Sequence, residues 1–260
     1  IIGEVLAVNS SFASPSLPVN ATNRSQNENQ VSIGMFRPDP SAGPKWFGNL
    51  KRYQLIAQGD AIELGDVDGE LAVNTLTGFL TPCAKSWWTS PSGTYWAGMG
   101  INPDPRGTCS DTTAYSDSPD GPLVEKGAVA QVLRNGNSPA TTTDVPTYAV
   151  NRNIYTHAAG GLTAFNATSS LLDADLVKFI RGEDTNNERG RDLLTTTRPS
   201  IHGDVIHSRP LPINYGGSTG VVVYYGANDG TFRAVHAASG KENWAFIAPE
   251  FFSRLNRLKT

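Results

Sequence analysis

Residues 221–244, VVVYYGANDGTFRAVHAASGKENW, decide the fold class of this 260-residue chain. The β-branched and aromatic run at 221–225 predicts a strand, and the alternating residues 231–237 predict a second strand. The turn between them consists of residues that tolerate the positive φ of a tight hairpin: Asn228, Asp229 and Gly230. The pattern predicts one four-stranded sheet of the kind that repeats around the axis of a β-propeller.

Trp244 follows a second predicted turn, at Ser239 and Gly240, at a spacing that lets its indole lie over a neighbouring sheet. This Ala-Ser-Gly-x-x-x-Trp turn resembles the tryptophan-docking repeat of quinoprotein-type propellers. A single small sheet cannot bury both of its faces, so such a repeat implies further sheets around the axis. The motif occurs once in the sequence, and we therefore expect a fragment, or the ordered part, of a longer protein.

The chain before this repeat predicts two further regions. Residues 1–30 contain prolines and a polar tract and predict a connector from an upstream domain. Residues 31–195 predict an irregular β-rich linking domain, and 196–260 predict the start of the propeller, namely its first blade and an exit segment. The expected fold class is therefore mainly β. The linking domain has predicted strands at 31–37 and 46–56 and one helix near 171–181.

Composition argues against two classes of partner. The net charge is −3 and the 21 Lys and Arg residues are scattered, so the sequence predicts no nucleic-acid binding. No apolar run approaches the roughly 18–20 residues of a membrane helix, so we expect no membrane span. The 26 Gly, the 17 Pro and a charged fraction of only 17% favour a β-rich, exported protein.

Cys83 and Cys109 are the only cysteines, and neither has a second cysteine or a histidine at metal-ligand spacing. We expect a disulfide between them. By the chain-entropy model, closing this loop adds roughly 3–4 kcal/mol to the free energy of unfolding. Two free, buried thiols are the alternative.

Motifs along nearly the whole chain carry a family resemblance. They are AVNSSFASPSLPVN (7–20), IGMFRPD (33–39), KWFGNLKRYQL (45–55), FIRGED (179–184) and RPSIHGDVIHSRP (198–210). With the Gly-Ala-Asn-Asp-Gly segment that follows them, they make the chain resemble the PilY/PilC-type tip-associated adhesins and biogenesis factors of bacterial type IV pili. The resemblance covers the region between a von Willebrand factor A-like domain and a C-terminal propeller, together with the first blade.

The resemblance implies a non-enzymatic structural and interaction module in pilus biogenesis, adhesion and control of retraction. It implies a location in the periplasm, at the cell surface or at the pilus tip. The implied partners are minor pilins at the tip, the remaining domains of the same polypeptide, and a host or abiotic surface reached through those domains. Calcium is implied for the full-length family member and no cofactor for this chain. The sequence departs from the family after the Asn-Asp-Gly turn, where it reads FRAVH (232–236) in place of Leu-His-Ala-Phe-Asp.

Two groups of residues invite a metal or catalytic interpretation. Asp66, Asp68 and Glu70 alternate as calcium ligands do, although the next residues lack a closing bidentate glutamate, and a plain hairpin turn is favoured. The other group superficially resembles a metal or nucleophile site: His202, Asp204, His207, Ser208 and Arg209. We expect these residues to enter a strand, with Asp204 bonding turn amides and the histidines capping neighbouring strands.

The remaining candidates have structural explanations. Asn228, Asp229 and Gly230 fit a tight turn without a ligand, and Trp244 fits packing within the blade better than stacking on a cofactor. Arg181, Glu183 and Asp184 are expected to be solvated charges at a helix end, which does not support a paired-carboxylate site. No catalytic residue is assigned.

Two other functions remain open from the sequence. The first is a fragment of a quinoprotein dehydrogenase that uses pyrroloquinoline quinone and calcium, because that class shares the tryptophan-docking turn. The second is a propeller scaffold of outer-membrane assembly, which would show repeated blades.

The enzyme alternative is testable directly. With added pyrroloquinoline quinone, calcium and an artificial electron acceptor, we expect no alcohol- or sugar-dependent reduction, because this sequence supplies no complete quinone site. Reproducible turnover that Trp244→Ala abolishes would contradict this expectation.

Overall fold

A computed structural model describes residues 12–16, 29–39, 43–99, 109, 115–136, 152–190 and 197–259. Within these ranges the protein is mainly β, as expected, with two sheets and a few short helices. None of the described helices is both long enough and apolar enough to cross a membrane.

The first sheet is antiparallel and has the strand order β1-β2-β3-β4. The predicted strands at 31–37 and 46–56 are confirmed as β2 and β3, whereas β1 and β4 were not predicted. Because β1 lies at the sheet edge, its Pro15 is tolerated without a backbone N–H. A strand thus forms inside the predicted 1–30 connector. The strands are β1 (Phe12–Ser16), β2 (Gln30–Arg37), β3 (Phe47–Gln58) and β4 (Ala61–Gly65).

The second sheet has six strands in the order β6-β5-β10-β9-β8-β7. Strands β7 to β10 form an antiparallel four-stranded unit that contains the predicted strands at 221–225 and 231–237. The strands are β5 (Ile154–Ala158), β6 (Gly161–Ala164), β7 (Leu211–Asn214), β8 (Val221–Gly226), β9 (Phe232–His236) and β10 (Glu242–Phe246).

Strand β5 pairs in parallel with β10, at Ile154 opposite Ala245, and so extends the four-stranded unit on that side. The β5–β6 hairpin precedes the predicted boundary near residue 195. Residues from both sides of that boundary also share a hydrophobic core, in which Leu50 and Val129 pack with Val223. The regions predicted as 31–195 and 196–260 therefore share one sheet and one core.

Within the described residues short helices accompany the sheets, and the helix predicted near 171–181 begins later than expected. Leu171 has a left-handed backbone with φ 57° and is 90% exposed, so the helix begins only at residue 174. The Asp173 carboxylate caps it by accepting from the N–H of Asp175 at 2.9 Å, and Gly182 ends it at φ 112° as predicted. The helices are α1 (Ala128–Arg134), α2 (Ala167–Ser170), α3 (Ala174–Arg181) and α4 (Phe252–Leu255).

Side chains of β3 hold the irregular region that follows the first sheet. Asn49 Nδ2 donates to the carbonyls of Val124 (2.9 Å) and Gly127 (3.0 Å), and its Oδ1 accepts from Ala130 N. The buried Lys51 ammonium lies 2.8 Å from the Asp120 carboxylate, and further Lys51 donors bind backbone carbonyls. A buried cation needs such compensation, so the GNLK segment of β3 fixes the path of residues 120–130.

The predicted disulfide between Cys83 and Cys109 is confirmed, with the two Cα atoms 5.2 Å apart. Aromatic burial also occurs in this region, because Trp96 is fully buried and the Arg52 guanidinium lies 4.9 Å from the Trp87 ring centroid. The disulfide and these aromatic contacts together anchor the irregular segment.

The first sheet meets the segment that precedes β7 where Gly48 of β3 contacts the backbone at Gly203. Gly48 N donates to His202 O at 3.3 Å, and Phe47 and Gly203 form an isolated antiparallel bridge. A Cβ atom at Gly48 would overlap the Gly203 carbonyl oxygen and the Asp204 Cα, both of which belong to backbone. Only glycine permits this approach.

We therefore expect Gly48→Ala to lower the free energy of unfolding by about 2–3 kcal/mol, because backbone must move to accommodate the methyl group. Gly160→Ala is the matched control: no atom lies within 4 Å of its added Cβ, so its stability should stay within about 0.5 kcal/mol of wild type. Urea denaturation measures both. Equal stability of the two variants would show that the contact at Gly203 is not tight.

Candidate functional site

One face of the β7–β10 unit carries exposed aromatic side chains. Residues directly opposite each other on antiparallel strands share a face, and Tyr224 lies opposite Leu211 on one side and Ala234 on the other, with Trp244 next in the row. The preceding row places Phe232 on the same face. We call this surface the aromatic face and define it by five residues: Leu211, Tyr215, Tyr224, Phe232 and Trp244.

The rings of the aromatic face contact each other. Tyr224 and Phe232 stack with centroids 6.2 Å apart, and the Trp244 ring lies 6.0 Å from each of them. The Tyr215 and Tyr224 hydroxyls are 2.9 Å apart. Leu211 is 49% exposed, Tyr215 55% and Phe232 43%. The surface is therefore preassembled, and its chemistry suits packing.

Trp244 was predicted to lie over a neighbouring sheet. In the structure its indole is half-buried against Tyr224 and Phe232 of its own sheet. One flank of the ring thus contributes to the aromatic face.

The opposite side of this sheet contains a buried charge network around Arg233. Its guanidinium pairs with the Asp229 and Glu242 carboxylates, and Glu242 also binds Arg152 through contacts of 2.7 and 2.8 Å. Burial alone would raise the pKa of Glu242, but the Arg152 and Arg233 charges lower that pKa to about 2. For the same reason the pKa of Asp229 lies well below its usual range, with Arg233 the main opposing charge. The Asp229 and Glu242 carboxylates are therefore ionised at neutral pH and paired with arginine side chains.

The Asn228-Asp229-Gly230 turn joins this network, as its predicted structural role requires. Asp229 Oδ1 accepts from Thr231 N at 3.1 Å, and Oδ2 accepts from Gly203 N at 3.0 Å. Gly230 has φ 85°, and a Cβ there would lie 2.8 Å from a Leu255 methyl group. These contacts account for the residue types in the turn.

His202 is buried and neutral. Its Nδ1 donates to Gly203 O at 2.7 Å, so its Nε2 accepts from the Tyr225 hydroxyl at 2.8 Å. Burial, followed by the Arg233 charge, lowers the pKa of His202 to about 3. The histidine therefore serves as a fixed hydrogen-bonding element beneath the sheet.

Asp204 forms hydrogen bonds with Asn228 of the tight turn. Its Oδ1 accepts from Asn228 Nδ2 at 2.5 Å and its carbonyl from Asn228 N at 2.9 Å, which agrees with the expected bonding to the turn. Burial raises the pKa of Asp204 to about 6.

The expected strand at these residues is wrong, since Gly203 makes only an isolated bridge to Phe47. Ser208 Oγ accepts from Gly226 N at 2.9 Å, while His207 and Arg209 are exposed. Within the described ranges, no group of three or more His, Cys, Asp or Glu residues is placed to hold a metal ion.

Asp66, Asp68 and Glu70 lie at the turn that follows β4. Asp66 Oδ1 accepts from Asp68 N (2.9 Å) and Glu70 N (3.0 Å), and its Oδ2 accepts from Lys85 N (3.2 Å). Asp68 also pairs with the Lys85 ammonium at 3.5 Å. The hairpin-type turn is present, and calcium binding there stays a prediction.

The charged side chains at the C-terminal end of α3 form more hydrogen bonds than the sequence predicted. Asp184 accepts from Glu188 N at 2.7 Å and Arg189 N at 3.1 Å, and Arg181 donates to the carbonyls of Phe165 and Arg152. These residues are half-buried, so the expectation of solvated charges is wrong. They order the chain beyond the helix.

Sequence reasoning missed the Arg152–Glu242–Arg233 network and the role of Tyr224 and Phe232. Arg152 and Glu242 are 90 residues apart, and no local pattern connects them. Arg233 did carry a signal, because it occupies an inward position of an alternating strand where an apolar residue is usual.

Comparisons with protein-family models, with curated proteins and with solved structures found no match to this chain.

The raised pKa of Asp204 generates a pH prediction. Its folded pKa of about 6 exceeds the ordinary 3.8, so this group stabilises the fold below pH 4 and loses that contribution as the pH rises through 6. Asp204→Asn should therefore be more stable than wild type at pH 7.5 by about 1–2 kcal/mol, after allowance for solvent screening, and show no such gain at pH 4.

Urea denaturation at both pH values measures the difference. Contributions from His202 are common to both proteins and cancel in the comparison. Asp60→Asn, at an exposed turn, gives the baseline for removing a surface carboxylate. A gain at pH 4 as large as that at pH 7.5 would contradict the prediction.

Proposed function

We propose that this chain is a structural and interaction module of a type IV pilus tip-associated adhesin that acts in pilus biogenesis, adhesion and control of retraction. The aromatic face of the β7–β10 unit is the observation that carries the proposal. The ordered motifs that resemble the PilY/PilC-type family support the choice of pilus system.

The aromatic face has the composition of a docking surface. Contiguous exposed apolar residues are unusual on a soluble protein and mark interaction sites, and tyrosine and tryptophan dominate binding energy at such sites. A second sheet packs about 10 Å from the first when side chains of facing surfaces interdigitate. In our proposal Phe232 and Trp244 pack against the next sheet of the same polypeptide, and the assembled module contacts minor pilins.

The charge network supports this role from the other side of the sheet. Asp229 and Glu242 hold Arg233 rigidly, so the strands that present Phe232 and Trp244 have little freedom to lose on association. A preorganised surface binds more tightly because less conformational entropy is lost.

The dehydrogenase alternative receives less support. The Asp229 and Glu242 carboxylates of this sheet have oxygens that are already engaged by arginines and the Gly203 amide. Oxygens used in this way are poor calcium ligands unless the network rearranges.

The proposal is tested in the polypeptide that contains this chain, expressed in its bacterium in place of the wild type. Phe232→Asp puts a charge on the aromatic face, and burying that charge against a second sheet should cost at least about 3 kcal/mol. We expect surface pili and adherence to fall to the level of a deletion strain, while the isolated domain keeps its stability because residue 232 is partly exposed there.

Leu76→Asp is the matched control, since Leu76 is 94% exposed in the turn at residues 74–78, which lies outside the second sheet. The strain that carries this control variant should have a normal number of pili. Electron microscopy counts the pili, and attachment to glass measures adherence. Normal piliation in the deletion strain would refute the pilus role, and normal piliation with Phe232→Asp alone would refute the role of the aromatic face.

A further inference from the structure

A cleft of about 360 Å³ opens at one end of the second sheet. It lies between the end of β10, the turn after β8, and the C-terminal helical residues 249–258. This volume falls within the range of sites that bind small ligands or single side chains of a peptide. The C-terminal helical residues stay in place because Leu255 and Leu258 are buried in the core, so one wall of the cleft is fixed.

The walls of the cleft are aromatic. Phe232, Phe246 and Phe251 line it, and Phe251 is 45% exposed. Rings in this arrangement offer apolar surface to a ligand and displace water from it, which strengthens any ion pair formed beside them.

The ionisable groups that line the cleft are all basic. They are His207, Arg254 and Arg257, and among the described lining residues no carboxylate occurs. The Arg254 side chain is exposed and makes no hydrogen bond or ion pair in the part of the chain that the structure describes. Asn228 Nδ2 donates to His207 Nδ1 at 3.2 Å, which leaves Nε2 of this histidine as a donor.

The acidic side chains near the cleft either form ion pairs elsewhere or lie outside the cleft lining. Asp229 pairs with Arg233 beneath the turn, and Asp175 pairs with Lys259 beyond the end of α4. Glu250 is exposed at the first turn of the helical segment but does not line the cleft. On a chain of net charge −3, this cleft is a local cationic site with apolar walls.

We propose that this cleft binds an acidic peptide segment in which a carboxylate side chain neighbours an aliphatic or aromatic one. Arg254 forms a two-pronged ion pair with the carboxylate, since a guanidinium matches carboxylate geometry. Phe246 and Phe251 cover the adjacent apolar side chain. Arginine and aromatic residues are the types that contribute most at peptide-binding sites. The binding holds whether or not the chain belongs to a pilus protein.

The test uses the purified 260-residue chain and a fluorescein-labelled hexapeptide of alternating leucine and aspartate, blocked at both ends. Fluorescence anisotropy measures binding at 50 mM and 300 mM salt. We expect saturable binding that weakens with salt. A peptide with asparagine in place of aspartate should bind at least tenfold more weakly, because it cannot form the ion pair.

Variants locate the site. Arg254→Glu should weaken binding at least tenfold, and Phe251→Ser should weaken it severalfold. Lys241→Glu makes the same charge change at an exposed turn away from the cleft and should leave binding within twofold of wild type. Phe232 belongs to both the aromatic face and the cleft, whereas Arg254 and Phe251 belong to the cleft alone, so Arg254→Glu and Phe251→Ser test the cleft without changing the aromatic face. Circular dichroism confirms that each variant is folded.

Three results would overturn the proposal. They are no binding up to millimolar peptide, equal binding of the asparagine peptide, and equal loss of binding in Arg254→Glu and Lys241→Glu. Concentration-dependent self-association of the chain that Arg254→Glu abolishes, measured by light scattering, would assign the cleft to a second copy instead.

Discussion

The Arg233 guanidinium is fully buried in the second sheet, and much of the surrounding structure follows from the need to neutralise it. Removing one partner of such a group costs about 3–5 kcal/mol, so Asp229 and Glu242 cannot leave it. Asp229 in turn binds the Gly203 amide, and Glu242 binds Arg152 just before β5. One cation thereby joins the hairpin turn, β10 and two distant chain segments.

A similar constraint operates in the first sheet, where the Lys51 ammonium and the Asn49 amide occupy buried positions on β3. Their hydrogen bonds go to backbone carbonyls of residues 120–127 and so give an irregular segment a definite path. Glycine at position 48 then lets β3 approach the Gly203 backbone. Polar groups thus connect β3 to residues 120–127 and to the backbone at Gly203, while Leu50 of β3 packs with Val223 of β8 in one hydrophobic core. The aromatic face lies on the opposite side of the second sheet from the Arg233 network.

Local patterns predicted several elements well and others poorly, for identifiable reasons. Strand β8 was predicted from its β-branched and aromatic residues and β9 from its alternating pattern, and the disulfide was predicted from the isolation of two cysteines. Leu171 was assigned to a helix because apolar spacing does not reveal that a capping aspartate, Asp173, begins the helix later. The 202–207 segment alternates as a strand does, yet it bonds to β3 and the Asn228 turn and makes only an isolated bridge.

The sequence by itself determined the β-rich class, the tight turn at Asn228-Asp229-Gly230, the C-terminal end of α3 at Gly182 and the Cys83–Cys109 bridge. Each of these depends on backbone preferences or on the chemistry of a few residues. Only the tertiary structure decided that the β5–β6 hairpin joins β10, that Arg152 meets Glu242, and that three phenylalanines and Arg254 line one cleft. Those contacts bring together residues that are far apart in the chain. Their stabilising free energy comes from burial and charge pairing, which a local sequence pattern does not predict.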